Sequence, residues 1–161
     1  MKERKIVALI QEYRPDELPA KYQDIVEEAK EATKRSYAPY SKFHVGAAIR
    51  MANGAVVVGS NQENAAFSVT ECAERSACFY ASSRYPGVAM TQIAIAAYAE
   101  NHDSSEPEFQ KLPISPCGIC RQALLEYETL HGDIEVILYG ADSIYVLPNI
   151  KSLLPLCFTE F

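Results

Sequence analysis

Apolar residues recur at spacings of three and four between residues 15 and 35: Leu18, Tyr22, Ile25, Ala29 and Ala32, with Glu and Lys between them. That period predicts an amphipathic helix, with Asp16 as a start signal. The pattern then shortens. Two apolar runs, 45–49 and 55–59, flank Asn53-Gly54, a dipeptide that tolerates positive φ and predicts a β-hairpin. Helical periodicity returns over 72–84, with Ala73, Ala77, Tyr80 and Ala81 on one side, and Tyr85-Pro86-Gly87 stops it. Residues 92–99 read as a buried strand and 101–112 as a polar loop. Pro116 opens a second helix over 117–130, which ends at His131-Gly132. Apolar strands are expected at 134–139 and 143–147, and a short helical turn at 150–154.

This order gives five strands, and strands separated by helices need crossover connections and at least one parallel pair. The expected fold is α/β, a mixed five-stranded sheet sandwiched between helices. A chain of 161 residues fits a single domain, 1–161. Hydrophobic residues make up 48% and charged residues 22%, which excludes a disordered, collagen-like or extended coiled-coil chain. A net charge of −6 disfavours binding a polyanion, which is held mainly through Lys and Arg, so no nucleic-acid partner is expected. No run approaches the ~20 apolar residues that span a bilayer, so no membrane partner is expected. The charged start, Met1 to Lys5, lacks the apolar run of a signal peptide, and a cytoplasmic location is expected. There thiols stay reduced, so five cysteines point to metal or catalysis before disulfides.

The strongest chemical signal is Pro116-Cys117-Gly118-Ile119-Cys120. Two thiols three residues apart at a helix start can reach one ion, and a helix N-terminus favours thiolate over thiol. Alone, the motif fits either zinc or a redox dithiol. Cys72-Ala73-Glu74 repeats the arrangement at another helix start. Alone, it reads more readily as a buried cysteine followed by a carboxylate suited to the helix dipole. Together, Cys72, Cys117 and Cys120 supply three ligands and leave one position open, the arrangement of catalytic rather than structural zinc. Glu74 then stands beside that position as a proton carrier. His44, His102 and His131 are scattered and read as surface or loop residues rather than ligands.

With these motifs the chain resembles the zinc nucleoside deaminases, and most closely cytidine deaminases of the small homotetrameric type. The resemblance rests on the block from Pro39 to Ala48, on Asn61-Gln62-Glu63-Asn64-Ala65 and on Cys72 to Ala77. It continues through Ser115 to Gln122, Leu153-Leu154-Pro155 and Phe158. These blocks span about three quarters of the chain, and residues 1–20 stand outside them as an N-terminal extension. The resemblance implies a three-layer α/β/α fold, one zinc ion (Zn2+) per chain, and a homotetramer with sites near subunit interfaces. It implies hydrolytic deamination of cytidine and deoxycytidine to uridine and deoxyuridine with release of ammonia, in pyrimidine salvage. Glu74 is the implied catalytic residue, and Cys72, Cys117 and Cys120 are the implied ligands.

The same resemblance assigns Asn61 and Glu63 to the ribose, Phe43 and the Ala73 backbone to the base, and Phe158 to a neighbouring subunit's site. Arg75 and Arg121 each follow a ligand closely and are expected to hydrogen-bond sulfur. Cys78 and Cys157 match no ligand position. Thr70 and Glu71 depart from the family pattern, and Glu71 adds negative charge near an anionic site. The alternatives are deamination of another aminopyrimidine nucleoside, such as blasticidin S, and a non-catalytic zinc-stabilised binding module.

Overall fold

The computed structural model describes residues 1–101 and 107–159. Among these residues six strands form one mixed sheet: β1 (Gln11–Tyr13), β2 (Phe43–Met51), β3 (Val56–Ser60), β4 (Met90–Ala99), β5 (Glu135–Tyr139) and β6 (Ile144–Leu147). Their order across the sheet is β1-β6-β5-β4-β2-β3. Only β4 and β5 run parallel, and every other neighbouring pair is antiparallel. The expected count of five is therefore corrected to six. The extra strand comes from the N-terminal extension, where Gln11, Glu12 and Tyr13 pair with Val146, Tyr145 and Ile144.

Among the described residues three α-helices cover the sheet: α1 (Ala20–Ala32), α2 (Ala73–Arg84) and α3 (Gly118–His131). One face packs on α1, with Tyr22, Ile25, Val26 and Ala29 meeting Ala48, Ala94, Ile137 and Val146. The other face packs on α2 and α3, with Ala73, Ala77, Leu124 and Leu125 meeting Ile49, Ile93, Ile95 and Val136. The two buried clusters make a three-layer arrangement.

The α1 boundary is later than the apolar period alone indicates. Leu18 precedes Pro19, and a residue before proline is pushed out of the α region, so the chain makes a separate 3-10 turn at Pro15–Glu17 and begins α1 at Ala20. In the hairpin only Gly54 takes positive φ, at 85°. Asn53 contributes its side chain, accepting from the Ala55 N–H at 3.1 Å. The last expected turn is a 3-10 segment, Ile150–Leu153. In the polar 101–112 loop, Phe109 packs edge-on to Tyr98 and Tyr139. His102 and the rest of residues 102–106 lie outside the described residues.

Candidate active site

The beginnings of α2 and α3 meet. Cys72 is the N-cap of α2 and Cys117 the N-cap of α3, both with extended backbone, while Cys120 lies in the first turn of α3. The approach to Cys72 is fixed by a two-residue antiparallel bridge: Gln62 and Glu71 exchange N–H···O bonds of 2.9 Å each. The approach to Cys117 is fixed by Arg121. Its guanidinium donates to Pro116 O at 2.7 Å, Leu153 O at 2.9 Å and Ser115 Oγ at 2.9 Å. The sulfur hydrogen bond expected of Arg121 is thus replaced by contacts to the segment ahead of Cys117, because the guanidinium turns back along α3 towards its N-terminus.

The three sulfurs lie within 4.8 Å of one another, with Cys72 Sγ 3.9 Å and Cys120 Sγ 3.4 Å from Cys117 Sγ. Tetrahedral zinc with Zn–S bonds of ~2.3 Å requires sulfurs ~3.8 Å apart, so the donor set fits one zinc ion in type and spacing. Among the described residues this is the only metal-capable cluster of three or more such groups, and neither His44 nor His131 joins it.

The electrostatics favour thiolate at Cys72. A hydrogen bond from Cys120 pushes the Cys72 thiol down to about 5 against the effect of burial, with help from Arg75 and Cys117. The same bond pushes Cys120 up, since it is the partner that keeps its proton. Arg75 faces both sulfurs. It also stands 3.1 Å from Glu71 Oε1, a close ion pair without the alignment of a hydrogen bond. The charge that Glu71 brings to the site is therefore countered locally. Burial pushes the Glu71 carboxyl up, and Arg75 opposes that rise.

Glu74 is 5% exposed, and burial pushes its carboxyl up to about 7, with the Cys72 charge adding to the effect. It lines a cavity of about 290 Å³ together with Cys72, Cys117, Ala73, Phe43, Asn61 and Glu63. That volume suits one small molecule rather than a polymer. Asn61 spends one amide hydrogen on Phe43 O (2.9 Å) and accepts from Val45 N–H (2.8 Å), leaving a second hydrogen for a ligand. Glu63 accepts from the backbone N–H of Tyr40 at 2.8 Å and of Ser41 at 3.3 Å, and bonds from this segment hold its carboxyl below the ordinary range.

Phe158 is 67% exposed and outside the cavity wall, with its carbonyl accepting from Gln122 Nε2 at 2.9 Å. Ser41, Val45, Thr70, Glu71, Ile114 and Ser115 complete the wall without having been singled out as site residues. Ser41, Val45 and Ser115 fall inside the blocks that carry the family resemblance. Cys78 is buried away from the cluster and its thiol is pushed up to about 12 by burial.

The family described as "Cytidine and deoxycytidylate deaminase zinc-binding region" matches residues 19–132. A cytidine deaminase of Halalkalibacterium halodurans is 37% identical over 85% of this chain and 93% of its own length. The crystal structure of a cytidine deaminase from Burkholderia pseudomallei superposes with a TM-score of 0.68 at 37% identity, covering 85% of this chain and 98% of that one. A blasticidin-S deaminase of Bacillus cereus is similar at 31% identity over 85% of this chain and 91% of its own length.

Proposed function

The chain belongs to the cytidine and deoxycytidylate deaminase family, and from that premise we propose that it converts cytidine and deoxycytidine, with water, to uridine or deoxyuridine and ammonia. The observation that carries this reading is the buried Glu74 carboxyl in the same small cavity as the convergent sulfurs of Cys72 and Cys117. A closed structural zinc site has no use for a proton carrier, which argues against a purely structural module.

Cys72, Cys117 and Cys120 would hold a zinc ion, which would supply the Lewis acidity that makes water nucleophilic at neutral pH. Glu74 moves the protons: its carboxylate takes one from the attacking water and passes it to N3 of the pyrimidine as the water oxygen bonds to C4. It then takes the second from that oxygen and passes it to the amino nitrogen as the C4–N bond breaks and ammonia leaves. A carboxyl raised towards neutrality by burial is suited to taking and returning a proton. The Ala73 backbone and Phe43 hold the ring, and Asn61 and Glu63 hold the sugar hydroxyls. Glu74 itself is almost fully buried, which strengthens each polar contact it makes. Arg75 tempers the charge of three thiolates.

The same reading puts four chains together, with Phe158 reaching a neighbouring site. Exposed Phe79, Tyr80, Ile119 and Phe158 supply apolar surface for such contacts. A cytoplasmic setting suits a centre built on three reduced thiols. Incubation of the zinc-loaded protein with cytidine, deoxycytidine and blasticidin S, followed by ammonia release, tests the assignment. Turnover of the two nucleosides is expected. Turnover of blasticidin S alone would replace cytidine as the substrate.

A further inference from the structure

Asn61 and Glu63 do not stand by themselves; a neighbouring segment positions both. Tyr37 N–H donates to Asn61 O at 3.0 Å, and Tyr37 O accepts from Glu63 N–H at 2.8 Å. Three residues on, Tyr40 and Ser41 present their N–H groups to the Glu63 carboxylate. Lys42 then takes left-handed backbone at φ 56°, a conformation unfavourable for a residue with a side chain. Such a turn persists only where its surroundings hold it.

The side chain that grips this segment at both ends is His44. On one side the Ser36 hydroxyl oxygen lies 2.6 Å from Thr33 O and within hydrogen-bond distance of His44 Nδ1. On the other, His44 Nε2 lies 3.0 Å from Glu100 Oε1. Glu100 in turn donates its backbone N–H to Lys42 O at 2.8 Å. The imidazole is stacked on Tyr98, with ring centroids 4.8 Å apart, and is mostly buried. It makes no contact with the sulfurs and lines no part of the cavity.

We propose that His44 is a positioning residue for the sugar-binding side of the site: by bonding Ser36 at one ring nitrogen and Glu100 at the other, it fixes the 36–42 segment that aims Asn61 and Glu63. The proposal rests on the deaminase reading for its kinetic consequence, and on geometry alone for its structural one. His44→Phe keeps the ring against Tyr98 and removes both bonds. Its expected effect is a rise in KM for cytidine on the order of tenfold with kcat within about twofold, the pattern of lost substrate positioning rather than lost chemistry. Zinc content is expected to be unchanged. Amide hydrogen exchange at Tyr40 and Ser41 is expected to accelerate in the same variant, without reference to activity.

Ser36→Ala removes one end of the brace and is expected to shift both readouts in the same direction by less. It decides the matter if His44→Phe does not fold. Unchanged KM together with unchanged exchange at residues 40 and 41 overturns the proposal, as does a fall in kcat at constant KM. Should the parent protein fail to deaminate cytidine, the deaminase reading falls, while the exchange rates still decide whether His44 holds the segment.

Discussion

Glu135 shows how much one side chain can tie together. From β5 its carboxylate accepts from Tyr22 Oη of α1 at 2.5 Å and from Gln92 Nε2 of β4 at 2.9 Å, with Lys21 Nζ at 3.5 Å. Burial opposes its ionisation, but the Tyr22 and Gln92 bonds and the Lys21 charge outweigh burial and hold the carboxyl below its ordinary value. A carboxyl with a lower pKa folded than unfolded stabilises the fold above the unfolded value of ~4.3. That contribution is lost as the pH falls through the lower, folded value. Glu135→Gln is therefore expected to cost about 1–2 kcal/mol near pH 7. The difference from the parent protein should narrow below about pH 4, as denaturant unfolding at the two pH values would measure. Residues of this kind are hard to foresee, because their partners lie more than forty positions away. Cys72, Glu74, Cys117 and Cys120 are legible in the sequence, since residue type and short spacing carry their chemistry. The orientation of Arg121 is not, because spacing along α3 does not say which way a long side chain turns.

At the scale of elements, the apolar period locates the helices and the hairpin, while proline chemistry and close packing set their limits. Gly59 on β3 is the sharpest case. A Cβ there would lie 2.4 Å from Ala77 N and 2.6 Å from Ala73 O, so α2 rests directly on the strand backbone. That contact seats the helix start carrying Cys72 and Glu74. Gly59→Ala must push α2 away, since backbone atoms cannot give way as a flexible side chain can. The expected cost is about 1–3 kcal/mol, the range of overpacked cores. Turnover should fall with it, read by thermal unfolding and a cytidine assay on the same sample. Glu128 staples another pair of elements, accepting from Ile134, Ile150 and Lys151 N–H groups at 3.0, 2.6 and 3.0 Å. Nothing in the local pattern around Glu128 marks it apart from a surface glutamate on α3.

Across the whole molecule, the least legible element is β1. Three residues, Gln11 to Tyr13, offer too little alternation to read as a strand, and they become one by pairing with the free edge of β6. Ser143 Oγ donates to Glu12 Oε1 at 2.5 Å and helps hold the pair. The remaining five strands and three helices follow the order expected from the sequence, and they converge on one function. A cavity of about 290 Å³ and a three-sulfur centre suit a small nucleoside. The most direct test of that account is the zinc content and cytidine turnover of Glu74→Gln measured on one preparation. The account predicts about one zinc per chain and a loss of turnover of several orders of magnitude, because the amide cannot carry the proton. Near-normal turnover in the zinc-loaded variant would contradict it.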